Sequence, residues 1–126
     1  MTGPLVFLLE DHADCSEMYA RALTSAGFQV VTSQSVSDAL ARLCATPPRI
    51  VVTDLRLPDG SGLELVRHVK ECERTTGTGV IAVTACARAA DVSEALLSGC
   101  DVVLTKPCLP GTLVSEVARL LDDSPT

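Results

Sequence analysis

Four short apolar runs in this chain each empty into side chains with chemical potential. Leu5-Val-Phe-Leu-Leu9 leads into Glu10-Asp11, and Arg49-Ile-Val-Val-Thr53 leads into Asp54. Val80-Ile-Ala-Val83 leads into Thr84-Ala85, and Asp101-Val-Val-Leu-Thr105 into Lys106-Pro107. Gathered at one place, the three carboxylates of Glu10, Asp11 and Asp54 repel one another unless a cation intervenes. A hard divalent cation with oxygen ligands resolves that conflict. Mg2+ fits, being held by one or two carboxylates plus water and phosphate oxygens. Lys106 adds a second positive charge and Thr84 a hydroxyl. A carboxylate flanked by Mg2+, an ammonium and a hydroxyl is equipped to attack phosphorus. The cations stabilise the equatorial oxygens, and the product is an aspartyl phosphate.

The elements that must bring these groups together follow from hydrophobic spacing. Short apolar runs rich in β-branched residues and bounded by turn residues predict strands at about 5–10, 28–33, 49–54, 79–84 and 101–105, that at 49–54 fully buried. Helical spacing fills the gaps. Residues 14–26 carry Met18, Ala22 and Leu23 with Gly27 as a stop. Val36, Ala39, Leu40, Leu43 and Cys44 form an amphipathic stripe, capped by Ser35 and ended by Pro47-Pro48. A third helix is marked by Leu65, Val66, Val69 and Cys72, a fourth by Val92, Ala95 and Leu96 before Gly99. A fifth carries Leu113, Val114, Val117, Leu120 and Leu121. Alternating βα units of this length predict an α/β fold, a parallel sheet with helices on both faces. Open sheets of that kind place ligands at the carboxyl ends of their strands, where all four chemical stretches fall. One domain is expected over 1–121, with the polar stretch 122–126 as a tail or linker stump.

Composition narrows the function classes. With 126 residues, 47% of them hydrophobic, the chain has the means to bury a core. No apolar stretch approaches the roughly 18 residues of a membrane span. Met1-Thr-Gly-Pro4 lacks the basic region of a secretory signal, so a cytoplasmic location is expected. A net charge of −6 and 2% aromatics argue against direct nucleic-acid contact and suit a cation site. The six cysteines, Cys15, Cys44, Cys72, Cys86, Cys100 and Cys108, form no C-x-x-C pair and read as reduced, small apolar residues. Cys86 and Cys108 follow strand ends near the acidic cluster, which leaves a redox role open for them. His12 is expected to be an exposed loop residue, because hard cations prefer oxygen. His68, near Arg67 and Lys70, belongs to a solvated helix face. Gly60 and Gly62 match no phosphate-cradling motif, and turn geometry accounts for them.

Together, Glu10-Asp11, Asp54 with Pro58 four on and Gly62 eight on, Thr84-Ala85 and Lys106-Pro107 resemble the receiver domain of bacterial two-component response regulators. The resemblance runs from Leu5 to about Leu121. It implies a single flavodoxin-like, doubly wound (βα)5 domain whose five-stranded parallel sheet has the order 2-1-3-4-5. It implies a signalling module rather than an enzyme. Asp54 would accept a phosphoryl group from the phosphohistidine of a sensor histidine kinase or histidine phosphotransfer protein, and a conformational switch would control an output domain or partner. Asp11 and Asp54 would ligate Mg2+, Glu10 would help through water, and the Arg56 backbone carbonyl would complete the set. Thr84 and Lys106 would bind phosphoryl oxygens, and Pro107 would follow a cis peptide bond. A dimer through the fourth helix, fifth strand and fifth helix is a further implication.

Two positions depart from the family pattern. Val103 stands where receivers usually carry the Tyr or Phe that works with Thr84 as a switch, and Cys108 stands where Phe often follows Lys-Pro. Val103 keeps open the alternative of a phosphorylation-independent, receiver-like binding module. A phosphatase of the haloacid-dehalogenase type would need an acid two residues after Asp54, and position 56 is Arg.

Overall fold

The computed structural model describes residues 3–43, 45–85 and 88–123. Its middle strand, β3 (Ile50–Asp54), is buried at every residue. On one side it pairs with β1 (Leu5–Leu9), which pairs with β2 (Gln29–Ser33). On the other it pairs with β6 (Gly79–Thr84), which pairs with β7 (Val102–Thr105). All these pairings are parallel, and the order is β2-β1-β3-β6-β7. Counted over the five long strands this is the expected 2-1-3-4-5. The chain reverses its direction of growth across the sheet between β1 and β3. A crevice opens at the carboxyl ends of strands at such a point, and Glu10, Asp11 and Asp54 lie there.

The helices are α1 (Ala13–Ser25), α2 (Val36–Leu43), α3 (Gly62–Glu71), α4 (Ala89–Ser98) and α5 (Pro110–Asp123). Strand side chains alternate between faces, and the core divides accordingly. Phe7, Leu9, Val51, Val80 and Ala82 pack with residues of α2, α3 and α4. Val6, Leu8, Val52, Ile81 and Val83 pack with Tyr19 and Leu23 of α1 and Leu113 and Val117 of α5. Gly27 adopts φ +100 directly after the Ala26 C-cap, the left-handed stop expected for α1.

Several expectations need correction. The stripe of α1 is Ser16, Tyr19 and Leu23, while Met18 is 41% exposed. On α4 only Ala95 is buried, and Leu96 is 47% exposed. Periodicity locates a helix but not the rotation at which it seats, and α4 seats shallowly. Cys72 is the half-buried C-cap of α3 rather than a core residue. His68 is half-buried rather than fully solvated. Cys44 and Cys86 lie outside the described residues. α5 runs through Asp123, into the stretch read as tail, and residues 124–126 lie outside the described residues. The sequence also gave no sign of a two-stranded antiparallel pair, β4 (Arg56–Leu57) with β5 (Gly60–Ser61), between β3 and α3. Two-residue strands are too short to carry a hydrophobic period. Among the described residues, no helix is long and apolar enough to cross a membrane.

Candidate functional site

Each chemical side chain sits where a strand of the sheet stops. The Glu10 amide extends the β1–β2 pairing by donating to Ser33 O at 3.0 Å, so its carboxylate is fixed just past the sheet and is 2% exposed. Glu10 Oε1 accepts from Lys106 Nζ at 2.8 Å, and Oε2 accepts from the His12 amide at 3.1 Å. Asp54, the last residue of β3, is 8% exposed. Its Oδ2 accepts from Lys106 Nζ at 2.9 Å and its Oδ1 from the Arg56 amide at 3.1 Å. One ammonium thus holds two carboxylates that arrive from different strands. Burial alone would lower the Lys106 pKa. The hydrogen bonds and charges of Glu10 and Asp54 outweigh it and lift the group above its ordinary value.

Lys106 is itself positioned by the sheet. Its amide donates to Thr84 O at 2.8 Å, carrying the β6–β7 ladder one step further, and the Lys106–Pro107 bond is cis. Thr84 is 2% exposed and lines a cleft of about 310 Å3 with Arg56, Leu63, Asp91 and Glu94. Val103 is half-buried and packs against the core on the α2–α4 side.

Asp11 is the least committed member, with His12 Nδ1 3.4 Å from its Oδ1 and the same nitrogen 3.4 Å from Glu10 Oε2. Its side chain is 22% exposed, yet Oδ1 itself is buried and has no hydrogen-bond partner. A buried acceptor left bare costs on the order of 1–3 kcal/mol, more when charged. One donor atom each from Glu10, Asp11 and His12 lies within 4.8 Å of the others, and Asp54 stands outside that group. A buried carboxylate oxygen awaiting a partner, among further carboxylate oxygens, fits Mg2+. The contact joining Arg56 to Asp54 is the Arg56 N–H.

Residues 6–118 match the response regulator receiver domain family. This chain belongs to that family. It is 31% identical over 121 residues to the phosphate regulon transcriptional regulatory protein PhoB of Pseudomonas aeruginosa, which covers 96% of this chain and 53% of that protein. It is 26% identical over 119 residues to the polar-differentiation response regulator DivK of Brucella ovis, covering 94% of this chain and 97% of DivK. The signal receiver domain of a signal transduction histidine kinase from Syntrophus aciditrophicus superposes with a TM-score of 0.87 at 28% identity, covering 96% of this chain and 92% of that one. The chain spans about half the length of the PhoB relatives it matches.

Further contacts hold the carboxyl end of β3 in place. Thr53 Oγ1 donates to Asp54 O at 2.7 Å, and the Gly62 amide donates to Leu55 O at 3.0 Å. A Cβ on Gly62 would collide with Asp54 O and lie 2.8 Å from Thr53 Oγ1. Glycine there lets α3 start hard against the Asp54 backbone. Ser61 caps that helix, its Oγ accepting from the Leu63 amide at 3.1 Å. Asp59 reaches out of the β4–β5 turn to cap α2, accepting from the Val36 amide at 2.9 Å and the Ser37 amide at 3.0 Å. Those amides, Ser37 first, hold the Asp59 carboxyl below the usual carboxylate range. Ser35 caps the same helix as expected, accepting from the Asp38 amide at 3.2 Å. Tyr19 OH donates to Cys108 O at 3.0 Å, tying α1 to the turn beyond Pro107. A Ser before an apolar helix is a readable cap signal. A cap supplied from 22 residues away has no local signal.

Proposed function

We propose that this receiver takes a phosphoryl group onto Asp54 from the phosphohistidine of a sensor histidine kinase or histidine phosphotransfer protein, in a Mg2+-dependent step. The single observation that carries this reading is the Lys106 ammonium within 3 Å of both the Asp54 and Glu10 carboxylates, beside an unpartnered Asp11 oxygen. The module is then a phosphoacceptor regulator and not an enzyme acting on an outside substrate.

In this reading an Asp54 oxygen bonds phosphorus as the phosphorus–nitrogen bond of the donor breaks, the electron pair leaving with the imidazole. Lys106 already touches Oδ2 and pairs with a phosphoryl oxygen once the group has moved. Mg2+, when bound, supplies charge neutralisation for the transferring oxygens. Asp11 and Asp54 would hold it, with Glu10 assisting through water and the Arg56 backbone carbonyl completing the protein ligands. Thr84 donates its hydroxyl to the phosphoryl group. A ligand shifts an equilibrium only by its differential affinity for the two states, and the state in which Thr84 reaches the phosphate is the one favoured. Val103 is small and stiff at χ1, so it has little rotamer change to pass on. The response is then read through the loop from Thr84 to Arg88 and through α4, whose Leu97 is 88% exposed. Membership of the receiver family supports a dimer through the face of α4, β7 and α5.

The domain is assigned to residues 1–121, with 122–126 as tail or linker stump. The likeness to half of PhoB supports an output domain in a longer chain, and the family's signalling role supports a cytoplasmic setting. The test is to incubate the protein with Mg2+ and acetyl phosphate and to map the alkali- and hydroxylamine-labile phosphate. Labelling confined to Asp54 supports the proposal, and equal labelling of wild type and Asp54→Ala refutes it.

A further inference from the structure

Tyr19 is the chain's single tyrosine, and it is 3% exposed where α1 packs on α5. A phenol that deep needs a partner for its hydroxyl. Tyr19 OH donates to Cys108 O at 3.0 Å, across 89 residues of sequence. Long side chains on a helix lean toward its amino end. The phenol of Tyr19 thereby reaches back to the carboxyl ends of the strands, where the turn after β7 lies. Burial first, with the Cys108 and Cys15 thiols adding to it and Lys106 opposing, lifts the phenol above its ordinary pKa. It keeps the proton that it donates.

The turn that Tyr19 grips carries the ammonium of the site. Before the turn, the Lys106 amide donates to Thr84 O at 2.8 Å. After it, the Cys108 carbonyl accepts from Tyr19. Between these two anchors lies the cis Lys106–Pro107 bond, and Lys106 Nζ meets both Glu10 and Asp54. Pro107 and Pro110 have no amide hydrogen, so the turn has few donors of its own to hold its shape. The opposite partner of the ion pair is tied to the same helix. α1 begins at Ala13, and the His12 amide just before it donates to Glu10 Oε2 at 3.1 Å. One helix thus places Glu10 and the Lys106 turn in a common frame.

We infer that Tyr19 is a positioning residue for phosphoryl transfer, setting through its bond to Cys108 O where the Lys106 ammonium stands against Asp54. The inference rests on the phosphoacceptor reading of the site and adds a residue that acts through Lys106. Val117 supplies the comparison. It is fully buried on α5 in the same cluster as Tyr19, and its side chain has no polar atom to share in the bond.

The chain has two lysines, Lys70 and Lys106, so the ammonium signals can be separated by NMR with Lys70 as an internal reference. Tyr19→Phe removes the hydroxyl and keeps the ring. Val117→Ala loosens the same packing and keeps the bond. Record the lysine ammonium signals of both variants without a phosphodonor. Then measure the initial rate of Asp54 phosphorylation with Mg2+ and acetyl phosphate. The inference expects Tyr19→Phe to move the Lys106 signal, leave that of Lys70 in place and slow phosphorylation by about 10-fold. Val117→Ala should destabilise the fold at least as much, yet keep the wild-type Lys106 signal and rate. An unmoved Lys106 signal or a wild-type rate in Tyr19→Phe overturns the inference. So does a Val117→Ala variant slowed as much as Tyr19→Phe, which would reduce the bond to a fastening of two helices. A wild type that takes up no phosphate would instead strike the functional reading itself. The Lys106 signals report on the positioning without any phosphodonor, so the two failures are distinguishable.

Discussion

The two ends of the sheet each carry a lysine beside an aspartate, and they use the pair in opposite ways. At the amino end, Lys70 Nζ donates to Thr78 O at 2.9 Å and lies 3.7 Å from Asp101. The Asp101 carboxylate is occupied by the Val80 amide at 2.8 Å. Asp101 is exposed at 41% and Lys70 partly exposed at 28%, and their polar atoms serve mainly to fasten backbone. At the carboxyl end, Lys106 holds Glu10 and Asp54 at 2.8 and 2.9 Å, with those carboxylates 2% and 9% exposed. There the charges are committed to one another, and Asp11 Oδ1 has no hydrogen-bond partner, only His12 Nδ1 at 3.4 Å. Charge fastened to backbone in solvent is architecture. Charge concentrated in a buried crevice, with one acceptor still open, is poised for a ligand. The sheet places the first where strands begin and the second where they end.

The largest effect on stability expected from this contrast is at Lys106. Lys106→Met leaves two buried carboxylates without their shared counter-charge and should cost about 2–3 kcal/mol in chelator, measured by urea denaturation. Adding Mg2+ should recover part of the loss, because a cation then replaces the ammonium. The folded-state pKa of Lys106 is raised. Its stabilisation is therefore fully present below the unfolded value of about 10.4 and is lost only as pH rises through the higher folded value. The deficit of the variant should stay flat between about pH 6 and pH 9. A deficit that changes sharply in that window would contradict the assignment of charges.

Next comes Gly62→Ala, which should cost about 1–3 kcal/mol by overpacking against the Asp54 backbone. Amide shifts of β3 and Thr84 should move with it. A neutral substitution would mean that α3 does not brace Asp54. At the opposite end of the sheet, Lys70→Ala should cost about 1 kcal/mol or less, since the pair is solvent-screened. A loss equal to that of Lys106→Met would erase the distinction between the two ends.

Much of this was legible in the sequence for a specific reason. Long parallel strands are buried on both faces, so they appear as continuous β-branched runs, and their ends are marked by the first polar residue. That is why Glu10, Asp54, Thr84 and Lys106 could be placed at strand ends, with boundaries within one residue of those observed. The helices were legible as elements but not in their rotation, as Met18 and Leu96 show. The contacts that hold the crevice in shape were not legible. Asp59 capping α2, Gly62 against Asp54 and the His12 ring beside the acids depend on how distant segments meet, and no local spacing encodes that.

The smallest expected effect concerns Asp59. Its folded pKa is depressed by the Ser37 and Val36 amides, so its contribution is present above the unfolded value near 3.9 and is lost as pH falls through the folded value. Asp59→Asn should melt below wild type at neutral pH, and the gap should close as pH drops below about 4. A gap independent of pH would show that the charge plays no part in the cap.

The most direct test of the account is beryllofluoride binding, followed through backbone amide signals. The account predicts binding only when Mg2+ is present, abolished in Asp54→Ala, with the largest shifts at Thr84, Lys106 and the start of α4. Binding that survives without Mg2+ or without Asp54, or that leaves Thr84 and Lys106 unmoved, would contradict it.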